Sequence, residues 1–250
     1  MSNLKRSGFN HVARTDRIPR ARSLFRKMFI PPQDRRAFMF LLHARKKQFF
    51  FSIVNIRHPK QTAGHDLIAK AYATMRREYG DSRRQSGELE REHPTCVALI
   101  AMIIGDVWDA NDITALLLHD LIEKFRDKWS VERISREFSP MVGWLVGRLT
   151  KPLQRGGLVR DAALEKAYRR QLKRAGKRVI KLKSFDTFHN TITLWGRARE
   201  RMERKVIDVA TNLLPLMREF RIEFADHIDR VLEYILHSIN PRNIKNKRTA

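Results

Sequence analysis

The stretch Ile113-Thr114-Ala115-Leu116-Leu117-Leu118-His119-Asp120-Leu121-Ile122 decides how this chain is read. It is apolar on nearly every face of a helix, so it belongs in the middle of a helical core. Into that setting the sequence places an imidazole and a carboxylate side by side. A lone carboxylate among leucines costs on the order of several kcal/mol unless it is protonated, paired or bound to a metal. Imidazole beside carboxylate is a donor pair suited to a divalent transition metal. Neighbouring helical residues point about 100° apart, so a shared ion must lie between their directions. Two ligands do not hold an ion, and the rest of the set has to come from elsewhere. For the bare dipeptide the plainer reading is a satisfied core histidine beside a carboxylate that caps a helix or pairs with a neighbour.

The chain contains its own controls. Gly64-His65-Asp66 repeats the dipeptide at the polar start of a helix, where Asp66 is an ordinary first-turn carboxylate. Asp226-His227 lies in a helix with polar neighbours. Neither is read as a metal site; the apolar surroundings separate His119-Asp120 from both. Two other segments supply further donors. His93-Pro94 opens a helix, with proline at a favoured first-turn position. Asp186 and Asn190 stand four apart, on one helical face with apolar Leu182. His93, His119, Asp120 and Asp186 make a nitrogen and oxygen set suited to Mn²⁺, Fe²⁺ or Zn²⁺, with room for a water.

Outward from this stretch, residues 62–239 read as helical throughout, with no alternation of period two long enough for a strand. Asn111-Asp112 supplies a cap for a helix from Ile113 to about Lys124, Ser130 caps a short helix, and Ser139-Pro140 opens another. A long helix is expected over Val179–Arg204, with a break near Trp195. The domain reading is a basic arm at 1–33, an amphipathic helix within 34–61 opened by Pro31-Pro32 and Asp34, an all-α domain at 62–239, and a basic tail at 240–250.

Charge is the unusual feature of the composition. The 250 residues carry 51 Lys+Arg against 27 Asp+Glu, a net +24. Residues 1–60 hold 15 of those cations against only Asp16 and Asp34. Such a balance points to a polyanionic partner, whether nucleic acid, anionic lipid or a phosphate-rich small molecule. A second basic cluster, Arg169, Arg170, Lys173, Arg174, Lys177 and Arg178, is read as a nucleic-acid footprint on one helix or as a solvated face. The most apolar long stretch, 38–56, is interrupted by Arg45-Lys46-Lys47 and does not span a membrane. A single cysteine, Cys96, excludes a disulfide framework and a multi-cysteine zinc site, and a cytoplasmic location is expected.

The order His93, His119-Asp120, Asp186 resembles the metal signature of the HD-domain phosphohydrolase superfamily. More closely, the chain resembles the hydrolase domain of the RelA/SpoT family, including its stand-alone small alarmone hydrolases. Tyr79-Gly80-Asp81-Ser82-Arg83-Arg84-Gln85-Ser86-Gly87-Glu88 is similar to that family's approach to its first ligand. Leu116-Leu117-Leu118-His119-Asp120-Leu121-Ile122-Glu123 resembles the core motif, Phe138 to Lys151 has the ending Leu-Val-x-x-x-Thr-Lys, and Lys183 to Asn190 resembles Lys-Leu-Ala-Asp-x-x-His-Asn. The likeness covers roughly residues 62–225, in order.

The resemblance implies an HD-type helical bundle and a Mn²⁺-dependent hydrolase that removes the 3′-pyrophosphate of guanosine tetra- or pentaphosphate. It implies His93, His119, Asp120 and Asp186 as metal ligands. Glu123 would orient or deprotonate the attacking water, Asn190 would position substrate, and Arg84, Gln85, Ser86, Lys151 and Lys183 would bind it. The chain departs from the pattern in places. The family's second acid after Glu123 is here Lys124, for which Asp127 is the nearest substitute, and the lysine of Arg-Lys-Ser-Gly is Gln85. The Pro-Tyr before the first ligand is Leu89-Glu90. Two alternatives follow from the departures and the charge. One is an HD hydrolase of another nucleotide or of a pyrophosphorylated tRNA end; the other is a degenerate HD domain that binds RNA or DNA through the basic arm.

Overall fold

The computed structural model describes residues 23, 25–85, 87–152 and 162–239. Among them no strand forms, and one isolated antiparallel bridge joins Arg83 to Leu89. The helices are α1 (Lys47–Val54), α2 (Ala63–Tyr79), α3 (Glu92–Ile103), α4 (Ala110–Leu118), α5 (Leu121–Lys124) and α6 (Val131–Glu137). They continue as α7 (Pro140–Leu149), α8 (Ala162–Ala175), α9 (Lys177–Ile192), α10 (Arg199–Asp208), α11 (Leu214–Glu219) and α12 (Ala225–Ile239). The chain is all-α. No helix of the described residues is long and apolar enough to cross a membrane.

Side-chain caps set several of the boundaries. Thr62, Ser130 and Ser139 each accept a hydrogen bond from the third residue of the helix they open. Helix α4 begins earlier than the sequence implies: its cap is Asp109, which accepts from the amides of Asn111 and Asp112. Asn111-Asp112 is therefore inside the helix rather than its cap. Asp112 is instead held by Arg178 at 2.8 Å, which ties the start of α4 to the start of α9.

Three helices form the centre. Helix α4 packs against α2, α3 and α7, while α9 packs against α3, α8 and α12. Every residue of α3 from His93 to Met102 is buried, as is most of α9. A helix buried on all sides satisfies its backbone internally, so any polar side chain it carries must find partners or a function. His93, Asp186 and His189 are such side chains.

Four expectations are corrected here. The helix expected over 113–124 is interrupted: α4 stops at Leu118 and α5 resumes at Leu121. The His119 Nδ1–H donates to the Leu116 carbonyl at 2.7 Å, competing for an acceptor of the helical ladder at the break. The break expected near Trp195 is present: α9 ends at Ile192, and a short 3₁₀ turn at Leu194–Gly196 precedes α10.

The amphipathic helix expected from Asp34 is replaced by turns, a 3₁₀ segment at Met39–His43, and then α1. Its apolar residues are used for seating instead of for a helix face. Phe38 is fully buried and stacks on Phe188 at 4.7 Å, and Asp34 pairs with Arg230 at 3.0 Å. Nor are residues 25–33 a free arm: Met28 and Ile30 are buried, and the Phe29 amide donates to the Ile192 carbonyl at the end of α9. The arm's residues 1–22 and the tail 240–250 lie outside the described residues.

Finally, the basic cluster at 169–178 is not on one helix. Gly176, at φ +84°, separates α8 from α9. Half of the cluster is engaged within the fold: Arg169 with Asn212, Lys173 with Glu219, and Arg178 with Asp109 and Asp112.

Candidate metal centre

Three helices deliver the donors, each for a local reason. Pro94 fixes the opening turn of α3, and His93 beside it turns into the bundle, where it is 2 % exposed. His119 stands at the break between α4 and α5, aimed by its bond to Leu116. Asp186 lies midway along buried α9.

Their donor atoms converge. His93 Nε2 lies 3.2 Å from His119 Nε2 and 3.0 Å from Asp186 Oδ1, and His119 Nε2 lies 3.4 Å from the same oxygen. Asp120 completes the group from the side, with Oδ1 3.2 Å from His119 Nε2 and Oδ2 3.9 Å from His93 Nε2. Ligand atoms around an ion at about 2.1 Å stand about 3.0 Å apart along an octahedral edge and about 3.4 Å along a tetrahedral one. The His119 tautomer sharpens the point. Because its Nδ1 donates to a carbonyl, a neutral His119 presents a bare lone pair at Nε2. Lone pairs aimed at one another within a buried pocket need a cation, and the donor set fits a divalent ion.

The burial pattern corrects one expectation. Asp120 is not the deeply buried acid; its side chain is 24 % exposed, against 6 % for Asp186. The break after Leu118 rotates Asp120 away from the leucines and toward the rim, so Asp186 carries the larger desolvation penalty. That penalty is met on every side. Lys183 Nζ lies 2.7 Å from Asp186 Oδ2, and Asn190 Nδ2 donates to Oδ1 at 2.6 Å. Burial would raise the Asp186 carboxyl, but the Lys183 ammonium and then the two imidazoles hold it well below the usual range.

The same balance governs the neighbours. Burial, and next the Arg84 guanidinium, press the His93 imidazole well below its ordinary value. Burial acts on His119 in the same direction, yet the carboxylates of Asp120 and Asp186 outweigh it and lift that imidazole to about 9. Without a metal, a proton answers the need of the two carboxylates for positive charge. Lys183 is desolvated too, but Asp186 and then the Tyr168 phenol hold its ammonium well above the ordinary range.

A cavity of about 230 Å³ opens beside the centre. Asp120, Glu123, Asp186 and Asn190 line it together with Lys151, Lys183, Arg169 and Lys205. Glu123 Oε1 accepts from the Lys151 amide at 2.7 Å. Burial and then the nearby Asp120 charge push the Glu123 carboxyl up from its ordinary value. Arg84 reaches the site from the loop between α2 and α3. Its own amide donates to Glu88, Gly87 turns at φ +81°, and the Arg84 guanidinium donates to Asn190 Oδ1 at 2.6 Å. Arg84, Asn190 and Asp186 thus form one chain of hydrogen bonds.

Some expected residues are elsewhere. Asp127 is exposed in a turn anchored by bonds from Lys128 and Trp129 to the Phe125 carbonyl, and it does not line the cavity. The buried Trp129 fixes that turn, which leaves Asp127 on the solvent side. Gln85 is exposed and is not among the cavity residues; Ser86 lies outside the described residues. Lys124 takes no place in the cavity either. Its ammonium pairs with Glu90 at 2.9 Å and lies 4.9 Å from the centre of the Tyr79 ring. The two departures Lys124 and Glu90 are partners of each other.

Sequence reasoning assigned no role to His189, whose Nδ1 lies 2.9 Å from His93 Nδ1. The signal was present in its spacing, three residues past Asp186 and so on the same side of α9. It also passed over Tyr168 and Lys205, and it read Arg169 only as part of a basic cluster; all three come to the cavity from helices with no motif of their own.

The chain is similar to several known proteins. No family model matches the chain. A GTP pyrophosphokinase of Streptomyces antibioticus is 30 % identical over 169 residues, 66 % of this chain and 19 % of that protein. A guanosine-3′,5′-bis(diphosphate) 3′-pyrophosphohydrolase of Aquifex aeolicus is 31 % identical over 139 residues, 55 % of this chain and 19 % of its own length. Among solved structures, a metazoan orthologue of SpoT that hydrolyses ppGpp superimposes with a TM-score of 0.58 at 18 % identity, covering 69 % of this chain and 95 % of that one.

The chain is similar to RelA/SpoT-type proteins over 66 % of its length. It spans about a fifth of the length of the curated relatives it matches. The structural likeness establishes the HD-type helical fold that the order of motifs implies.

Proposed function

We propose that this chain is a metal-dependent pyrophosphohydrolase of guanosine polyphosphates, cleaving the bond between the 3′ oxygen and its diphosphate. The observation that carries this reading is the convergence of His93, His119 and Asp186 on one point, with Asp120 beside His119, next to a cavity that also presents Lys151, Lys183, Arg169 and Lys205. The acidic and imidazole end suits a cation, and the cationic lining suits the phosphates. The name of one curated relative, a guanosine-3′,5′-bis(diphosphate) 3′-pyrophosphohydrolase, supports the substrate class.

His93 Nε2, His119 Nε2 and one oxygen each of Asp120 and Asp186 would hold the ion, for which we propose Mn²⁺. When bound, it lowers the pKa of a water and offsets charge on the phosphates. Glu123 is the base: with Oε1 fixed by the Lys151 amide, it takes the water's proton at Oε2. The water oxygen joins the phosphorus, the bond to the 3′ oxygen breaks, and that oxygen takes up a proton. Pyrophosphate leaves together with guanosine 5′-diphosphate, or the 5′-triphosphate when the pentaphosphate is the substrate, each with a free 3′ hydroxyl. Asn190 holds the Asp186 carboxylate in place and, with Arg84, borders the nucleotide. The hydrolase unit is residues 62–239, with the packed segment 25–61 lying against it.

Purified protein supplied with Mn²⁺ and labelled guanosine tetraphosphate should release pyrophosphate, and Asp120→Asn should abolish that release. Silence of the unmodified chain with Mn²⁺, Fe²⁺ and Zn²⁺ would overturn the assignment.

A further inference from the structure

His189 is a fully buried imidazole that the proposed reaction does not use. It stands behind His93, on the side away from the metal position, with ring centroids 4.9 Å apart and a tilt of 52°. The contact joins Nδ1 to Nδ1 at 2.9 Å. Two nitrogens at that distance share one proton, so one donates and the other accepts. Among the described residues, the remaining His189 nitrogen, Nε2, is buried with no hydrogen-bond partner.

The direction of that bond follows from what the far side of His93 has to do. To ligate an ion, His93 must present a lone pair at Nε2, so its proton sits on Nδ1. His189 must then accept at Nδ1 and carry its own proton on Nε2. In the opposite arrangement His189 donates from Nδ1, His93 accepts, and the His93 proton moves to Nε2, where it points at Asp186 Oδ1 3.0 Å away. That arrangement fills the metal position with a hydrogen.

We infer that His189 is a positioning residue, which accepts the His93 Nδ1–H and so holds His93 in its metal-ligating tautomer and orientation. The inference rests on the metal centre proposed above. His119 obtains the same service from a backbone carbonyl, through its bond to Leu116. His93 sits in the first turn of α3, and its Nδ1 meets a side chain instead. An imidazole can do this only as the Nε2–H tautomer, which leaves that N–H buried without an acceptor among the described residues. The arrangement persists because α9 brings Asp186 and His189 to one side, three residues apart.

Substitutions at this one position separate positioning from packing. Asparagine sets a carbonyl oxygen close to where His189 Nδ1 stands but leaves a smaller volume, while leucine fills the space and accepts nothing. Free Mn²⁺ can be followed by its electron paramagnetic resonance during titration of the metal-free protein. The unmodified chain should bind one Mn²⁺; if it binds none, the metal centre itself is wrong. His189→Asn should keep the affinity within about threefold, and His189→Leu should weaken it about 10- to 100-fold, as loss of an outer partner of a ligating histidine does. Equal affinity for the leucine variant, or weaker binding by asparagine than by leucine, would overturn the inference while leaving the metal centre intact. Circular dichroism melts of the metal-free variants check that both fold.

Discussion

The dipeptide His-Asp occurs at 65–66 and again at 119–120, and the two copies are nearly alike as pairs. His65 Nδ1 lies 3.3 Å from Asp66, and His119 Nε2 lies 3.2 Å from Asp120. Their settings differ completely. Asp66 is 72 % exposed in the first turn of α2, beneath the Thr62 cap, and no third donor joins the pair among the described residues. His119 is 5 % exposed, and both His93 and Asp186 close on the same nitrogen. The chemistry therefore belongs to the buried helices that meet at the second copy, and the two letters alone carry none of it. Water reaches the first carboxylate, while the second imidazole is surrounded by protein donors.

Three substitutions, each matched to its counterpart, would break or sharpen this contrast. Glu123 stands three residues past Asp120, where Ala69 stands three past Asp66. Glu123→Gln should lower kcat about 10²- to 10⁴-fold while Mn²⁺ affinity stays unchanged. The pH profile carries a second signature. Burial and the Asp120 charge raise the Glu123 pKa, and a base works only when deprotonated. The rate should thus fall as pH drops through that raised value, above the roughly 4.3 of an ordinary glutamate. The residual rate of the glutamine variant should lack this limb.

Next in size is loss of the imidazole. His119→Ala should weaken Mn²⁺ binding by more than about 100-fold, exceeding the effect of removing an outer partner. His65→Ala should leave the affinity unchanged in the same titration. The smallest effect is expected four residues past each aspartate, where both copies have a lysine. Lys124 is committed to Glu90 and Lys70 to the Glu137 carbonyl. Lys124→Ala and Lys70→Ala should each cost about 0–1 kcal/mol in urea unfolding. Hydrolysis by Lys124→Ala should remain within about threefold, because its ammonium is outside the cavity. A large loss, or a gain in rate, would show that this cation acts on the site.

Much of this is legible in the amino-acid sequence. The donor set was readable because a carboxylate among leucines is costly enough to demand a reason, and that reasoning led to His93 and Asp186. Yet it chose the wrong acid as the buried one: the break after Leu118 turns Asp120 toward the rim, and helical periodicity carries no sign of a break caused by a side chain bonding its own helix. Ser130 and Ser139 were readable as caps because a hydroxyl before a helical run has few other uses. Asp109 was missed in favour of Asn111-Asp112, since neighbouring acids and amides cap equally well on paper. Residues 25–44 were misread for a different reason. Phe38 packs on Phe188 of α9 and His227 of α12, Asp34 pairs with Arg230 of α12, and the Phe29 amide bonds the end of α9; these partners lie far away in sequence, and local pattern says nothing about them. Asp127 failed because a turn's direction is set by its buried tryptophan, Trp129.

The pairing of Lys183 with Asp186 has an electrical consequence. With one ammonium already set against one of the two carboxylates, the four donors and Lys183 together amount to a single negative charge when both imidazoles are neutral. A dication placed among them leaves the assembly at plus one. Such a nest grips metal less fiercely than an all-carboxylate cage would, but it attracts a polyanion where that cage would repel it.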